Sequence, residues 1–372
     1  MHYHIILTED CNLRCRYCYE KSFSEFENGL EKKFKFDFSD PEVSEVDLKK
    51  LKEFLLKDKE AVLIFYGGEP LLQWKKIIEI IDLLKDTKVK FRMQTNGILL
   101  DILPIEYLKK IDKILISIDG DKERTDKNRG KGTYEKVMTN ISKIKNKGYS
   151  GELIARMTIA QDCPDLYEQV LALVDAGFNS VHWQLDVGFY HEDFEEKKIS
   201  EFFKEYNKSL EKLLDWWVKE IKSGKVYRIY PFVGIVEPLL TGKKCGGLRC
   251  GAGHSGYAIS TSGKVVHCPI MNNIESFKAG NLDSNPSELK KFDCHDECGN
   301  CEVYDLCGGR CMYWRKAKLW PKIGDNMICD SIKFYINSIK EKMKEIRNSV
   351  KLGLVSQKDF DYEDYFGPEI IP

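Results

Sequence analysis

An α/β fold, with a parallel sheet that is open or curled into a partial barrel and followed by a cysteine-rich unit, is predicted by three observations. Apolar runs of strand length alternate with segments of helical periodicity about six times before residue 190. Thirteen cysteines are divided unevenly, with a tight trio near the start and a dense run after residue 240. A length of 372 residues suits one large unit with a sizeable core plus a smaller one.

The apolar run His4-Ile-Ile-Leu7 reads as a short buried strand that delivers the chain to Cys11, Cys15 and Cys18. Ala61-Val-Leu-Ile-Phe-Tyr66 reads as the next strand and runs directly into Gly67-Gly68-Glu69-Pro70, where paired glycines permit close approach to the backbone. A helix follows over 71–84, with Trp74 near its start. The alternation continues with a strand over 89–95, a helix near 104–111, and a strand over 113–118. A helix over 134–147, a strand over 152–159, a helix over 166–176 and a strand over 180–185 complete it. In folds of this kind the chemistry gathers at the C-terminal ends of the strands. Those ends hold the cysteine trio, Gly67 to Pro70, Gln94 to Gly97, Ser117 to Gly120, and Gln184.

Residues 192–224 read as an amphipathic helical region that packs on the sheet. Composition turns abruptly to cysteine and glycine near residue 240. We therefore expect four units: residues 1–190 as the barrel, 191–240 as a helical bridge, 241–335 as the cysteine-rich domain, and 336–372 as a C-terminal helix and tail. A helix over 331–347 is expected to dock on the barrel. The acidic, aromatic tail Asp359-Phe-Asp-Tyr-Glu-Asp-Tyr-Phe366 reads as a solvated or loosely packed terminus.

Lysine and arginine total 58 against 59 aspartates and glutamates, a net charge of -1, so charge balance gives no argument for nucleic acid or a membrane surface. No apolar run approaches the roughly 20 residues of a membrane span, and no export signal precedes the cysteine trio. A cytoplasmic protein is expected, and metal ligation explains the cysteines better than a disulfide framework.

Three local thiolates close most of an iron-sulfur cluster, whose usual complement is four, and leave one iron open to a substrate or cosubstrate. In the second region the ligand candidates are Cys245, Cys250, Cys268, Cys298, Cys301, Cys307, Cys311 and Cys329, with Cys294 also in the run. Thr261-Ser-Gly263 marks a hairpin turn between Cys250 and Cys268. Eight thiolates suffice for two cubane clusters and equally for two four-thiolate zinc sites, and spacing alone leaves both readings open. The open trio in the same chain favours iron, because zinc carries no electrons.

The spacing Cys11-x3-Cys15-x2-Cys18, with Tyr17 before the last cysteine, resembles the signature of radical S-adenosylmethionine (SAM) enzymes. The cysteines from 245 to 329 resemble the twitch-related SPASM domain of peptide-modifying members, including anaerobic sulfatase-maturing enzymes and archaeal peptide-modifying enzymes. The resemblance covers nearly the whole chain. It implies a partial (β/α)6 TIM-like barrel with a C-terminal SPASM domain, SAM, and three four-iron four-sulfur clusters.

Position by position, the resemblance implies that Cys11, Cys15 and Cys18 hold the cluster that cleaves SAM. Tyr17 would lie against the adenine, and Gly67, Gly68, Glu69 and Pro70 would meet the methionyl amine. Ser117 and Arg129 would hold the SAM ribose or carboxylate, with Asn96, Asp119 and Arg156 as further cofactor-binding candidates. Cys245, Cys250, Cys268 and Cys311 would ligate the first auxiliary cluster, and Cys298, Cys301, Cys307 and Cys329 the second. Cys163 and Cys294 are surplus.

One departure bears on the reaction. Sulfatase-maturing enzymes carry an aspartate, the proposed base, where this chain has Pro269, which disfavours oxidation of Ser or Cys to formylglycine. His267, Asp186, His182, His191 and Glu237 are candidate bases, none marked by spacing. The expected activity is hydrogen abstraction by a 5'-deoxyadenosyl radical from a ribosomally made peptide, forming an oxidative C–C or C–S cross-link. Peptide epimerisation and small-molecule radical chemistry are the enzymatic alternatives, and a metal-stabilised binding protein is the non-enzymatic one. Expected partners are the peptide and a flavodoxin- or ferredoxin-like electron donor; because only ten residues precede Cys11, the peptide is expected either to bind the barrel and auxiliary domain directly or to be presented by a separate leader-binding protein.

Overall fold

The structure, a computed structural model, describes residues 1–18, 30–188, 191–244, 247–292, 298, 300–363 and 371. Ten strands form one sheet in the order β10-β9-β8-β1-β2-β3-β4-β5-β6-β7. In chain order they are β1 (His2–Ile6), β2 (Val62–Tyr66), β3 (Lys90–Thr95), β4 (Ile111–Ser117), β5 (Glu152–Ile159), β6 (Ser180–Leu185), β7 (Arg228–Ile229), β8 (Gly256–Ile259), β9 (Lys264–Val266) and β10 (Lys278–Asn281). Every neighbouring pair from β8 through β1 to β7 is parallel. The two pairs β8–β9 and β9–β10 are antiparallel.

Burial on both faces explains why the parallel strands are nearly continuous apolar runs. In β2, Val62, Leu63, Ile64 and Phe65 are all buried, and in β4 Ile114 to Ser117 are. The helix Trp74–Leu84 shows the complementary pattern, burying Ile77, Ile80, Ile81 and Leu84 along one stripe. The helix Glu196–Lys222 buries a longer stripe from Ile199 to Ile221 and packs against the C-terminal helix Lys322–Lys351. These elements form the partial α/β barrel that the alternation predicts.

The cysteine-rich region begins by extending the barrel sheet, because β8 pairs in parallel with β1. The turn after β8 falls at Thr261 to Gly263, where the Gly263 N–H donates to the Ser260 carbonyl and φ is +88°.

The tail corrects the expectation of a solvated terminus. Phe360 is fully buried, with its ring 6.0 Å from Trp217, and Tyr362 lies 6.1 Å from Tyr230. The Glu363 carboxylate receives Arg92 at 2.5 Å and Lys113 at 3.2 Å, beside the N-terminal halves of β3 and β4. This segment closes the barrel end opposite the cysteine trio; residues 364–366 of the tail lie outside the described residues. Burial opposes the Glu363 charge, but the Arg92 hydrogen bond and charge, with Lys113 and the nearby His2 ring, outweigh it, holding the carboxyl well below the usual range. Such a group stabilises the fold fully above about pH 4.5 and loses that contribution as pH falls. Glu363→Gln is expected to cost about 1–2 kcal/mol at pH 7, after allowance for partial exposure. Urea midpoints should show the deficit shrinking in acid.

Among the described residues, no helix is long and apolar enough to cross a membrane.

Candidate active site

The cysteine trio sits on the loop that leaves β1 at the C-terminal end of the sheet. Two backbone hydrogen bonds fasten this loop to the glycine pair after β2: Gly68 N–H to Thr8 O at 2.8 Å and Glu69 N–H to Asp10 O at 2.9 Å. A Cβ on Gly67 would stand 2.3 Å from Thr8 O, and one on Gly68 would stand 2.2 Å from Asp10 O. The close approach that the glycines permit is therefore made by the chain's own cysteine loop. Gly67 also has φ of +140°, which disfavours any side chain. Gly68→Ala is expected to displace the cysteine loop and, if the trio binds iron, to lower the iron content of anaerobically purified protein, which iron analysis reads directly.

Cys11, Cys15 and Cys18 are half-buried and line one cavity of about 190 Å³. Burial pushes the Cys11 thiol up to about 11, against N–H groups of Leu13 at 3.4 Å and Asn96 at 3.7 Å that face its sulfur. The Cys15 thiol is also raised by burial, with the Arg129 guanidinium beside it working the other way. Bare thiolates are costly here, and cations placed among them would supply the missing charge. Three soft donors, with N–H groups directed at their sulfurs, match the chemistry of an iron-sulfur cluster.

Asp119 ties this loop to the sheet. Its carboxylate is fully buried and accepts from Arg129 Nε at 3.0 Å, Arg129 Nη2 at 2.9 Å, and Thr158 N–H at 2.9 Å. Asn128 Nδ2 at 3.3 Å and the Tyr17 hydroxyl also donate to it. Burial disfavours the Arg129 charge, yet Asp119, Tyr17 and Cys15 outweigh it and hold the guanidinium protonated. Arg129 comes from the helix Lys122–Arg129, absent from the sequence reading; Asp121 caps it by accepting the Arg124 N–H at 2.8 Å.

Tyr17, Gly67, Gly68, Asn96, Ser117, Arg129 and Arg156 all line the cavity with the trio. Glu69, Pro70 and Asp119 are buried beneath it instead. Glu69 accepts from Leu71 N–H at 3.0 Å, Thr95 Oγ1 at 2.8 Å and Asn96 N–H at 2.8 Å. Burial pushes its carboxyl up to about 7 despite those donors.

The cysteine-rich region supplies the far wall through Pro269, Ile270 and Asn272. Among the described residues, Glu9 is the one acidic side chain lining the cavity; it accepts from Asn272 Nδ2 at 2.7 Å and its carboxyl is raised by burial. Sequence reasoning placed Gln94 at the mouth but missed Glu9, Thr158 and Asn272, since no spacing marks them. Of the five candidate bases, His267 is buried with Nε2 2.7 Å from Lys290 O, and His182 is fully buried on β6. His267 lines an adjoining cavity; Asp186, His191 and Glu237 line neither.

That adjoining cavity, of about 60 Å³, is lined by Cys250, Cys268, His267 and Tyr257. It shares Tyr66, Gln94, Arg156, Pro269 and Ile270 with the first, so the trio and the Cys250–Cys268 pair line two adjoining cavities. Cys298, Cys301, Cys307 and Cys329 surround a third cavity of about 40 Å³, walled by Val303, Trp314 and Ile332. Cys311 lies outside both of these cavities. Cys163 is half-buried, its carbonyl accepting Arg124 Nη2 at 2.9 Å. Cys245 and Cys294 fall outside the described residues.

Residues 5–162 match the radical SAM superfamily. An uncharacterized protein of Archaeoglobus fulgidus is 30% identical over 322 residues, covering 82% of this chain and 72% of its own length. The chain belongs to the radical SAM superfamily. Membership makes it an enzyme whose reaction uses a four-iron four-sulfur cluster and SAM. A cysteine-type anaerobic sulfatase-maturating enzyme of Clostridium perfringens is 25% identical over 367 residues, 92% of this chain and 96% of its own. The fold matches that of anSMEcpe solved with bound AdoMet and Cp18Cys peptide, with a TM-score of 0.73 at 22% identity over 94% of this chain and 99% of that one. The radical SAM barrel thus accounts for the sheet, and the likeness to maturases spans the cysteine-rich region as well.

Proposed function

We propose that this radical SAM enzyme is a peptide maturase that forms an oxidative C–C or C–S cross-link, using three four-iron four-sulfur clusters. The observation that carries this reading is the pair of adjoining cavities, one lined by the cysteine trio and the other by Cys250 and Cys268, that share five side chains. A peptide side chain entering there lies between the radical source and an electron acceptor. The full-length likeness to a sulfatase-maturating enzyme and to a fold solved with peptide supports a peptide as substrate.

When bound, SAM and the clusters supply a 5'-deoxyadenosyl radical at the barrel mouth and an acceptor for one electron on the auxiliary side. The chain's residues do the rest. Cys11, Cys15 and Cys18 hold the first cluster, with Tyr17, Gly67, Gly68, Asn96, Ser117, Arg129 and Arg156 around SAM. Glu69 and Asp119 fix those walls from beneath. Cys245, Cys250, Cys268 and Cys311 hold the near auxiliary cluster, and Cys298, Cys301, Cys307 and Cys329 the outer one.

Pro269 and Ile270 present no side-chain proton acceptor to the cavity, which disfavours formylglycine formation. A cross-link removes two hydrogens from the peptide. One leaves as an atom to the radical; the other leaves as a proton to the Glu9 carboxylate and an electron to the auxiliary side. Glu9→Gln is expected to lower cross-link formation by roughly 10²-fold while 5'-deoxyadenosine release continues. A flavodoxin- or ferredoxin-like protein supplies the reducing electron.

Anaerobically purified protein tests the cofactor count. It is expected to be brown, with about twelve irons per chain. Colourless protein carrying about two zinc ions per chain would rule out the auxiliary clusters.

A further inference from the structure

Around the outer cysteine set, Arg310 lines the cavity and Arg315 contacts one of the sulfurs. Arg315 Nη1 lies 2.8 Å from Cys298 Sγ, and the residue is only 8% exposed. Consecutive residues Gly308, Gly309 and Arg310 have φ of +68°, +100° and +62°. For arginine this left-handed conformation is disfavoured by roughly 1 kcal/mol. The backbone of Gly309 and Arg310 faces Cys307 and opposes the rise that burial gives its thiol. The Arg310 side chain is buried under the same site, 5.1 Å over the Trp314 ring and donating through Nη2 to Val187 O at 3.1 Å.

A cubane on four thiolates carries net negative charge, which grows by one on reduction. Hydrogen bonds to its sulfurs and a nearby buried cation therefore favour the reduced form. We propose that Arg315, through its contact with Cys298 Sγ, raises the reduction potential of the outer cluster held by Cys298, Cys301, Cys307 and Cys329 and so favours transfer of the peptide's electron to it. This rests on the three-cluster reading above. Arg315 is a positioning and tuning residue, remote from the barrel mouth, and its effect on turnover is indirect. Balance requires one electron per cross-link to arrive here and to leave to an oxidised one-electron carrier of the ferredoxin or flavodoxin class.

The test is an EPR-monitored redox titration of anaerobically reconstituted protein, with the outer cluster's signal identified as the one lost in Cys329→Ser. Arg315→Met is expected to lower the one-electron reduction constant of that signal at least tenfold, a fall of about 59 mV, at unchanged iron content. Arg315→Lys, which keeps the charge, should stay within about threefold of wild type, and Arg315→Gln should fall between the two. A midpoint unmoved in Arg315→Met would overturn the tuning role. So would Arg315→Lys falling as far as Arg315→Met, or loss of the outer cluster from both Met and Gln variants, since either assigns Arg315 to holding Cys298 in place. Wild-type protein with only about eight irons would instead overturn the three-cluster reading itself.

Discussion

Cys15→Ala protein, reduced with dithionite in the presence of SAM, is expected to release no 5'-deoxyadenosine above a protein-free control. The substitution leaves two thiolates on the loop after β1, too few to retain a cluster with one open iron. Iron should fall by about four per chain, from about twelve to about eight, because the other clusters are held by separate cysteines. The fold should survive. Cys15 is half-buried, and the loop remains anchored by Gly68 N–H on Thr8 and Glu69 N–H on Asp10. Normal SAM cleavage by this variant would show that the trio does not carry the chemistry.

Asp119→Ala is expected to have the largest effect on stability at the site. The carboxylate joins the cysteine loop through Tyr17, the helix Lys122–Arg129 through Arg129, and β5 through the Thr158 N–H. Its loss leaves a guanidinium that is 6% exposed without its partner carboxylate. Removing one member of a buried pair costs about 3–5 kcal/mol. Urea unfolding of the metal-free protein measures that cost apart from cluster binding. Asp119→Asn keeps the volume and one acceptor oxygen and should cost less. A midpoint unchanged in Asp119→Ala would mean that other groups satisfy Arg129.

The strands were legible because parallel strands buried on both faces leave unbroken apolar runs, as β2 and β4 do. The helix Lys122–Arg129 left no such trace. Lys-Glu-Arg-Thr-Asp-Lys-Asn-Arg has no apolar stripe; it buries Thr125, Asn128 and Arg129 through hydrogen bonds with Asp119, and Arg124 through the carbonyls of Cys163 and Asp165. Its one local signal was the cap at Asp121. The strand β7 has two residues, too short for any pattern. The tail read as solvated because its partners, Arg92 and Lys113, lie far away in sequence and gather only when the barrel closes.

The site divides along the same line. Local spacing exposed the trio and the glycine pair, since both act through neighbours on one loop. Glu9 escaped notice because its hydrogen-bond partner, Asn272, stands 263 positions away. Spacing left zinc and iron open for the second cysteine region, and it is tertiary structure that draws Cys329, from the long C-terminal helix, to Cys298, Cys301 and Cys307.

The central claim, oxidative modification of a peptide, is tested most directly by mass spectrometry of a short peptide encoded beside this protein and coexpressed with it. The account predicts a product lighter by two hydrogens, with the change confined to two linked residues in fragmentation and absent with Cys15→Ala. A peptide of unchanged mass but inverted stereochemistry, or one untouched while SAM is consumed, would contradict it.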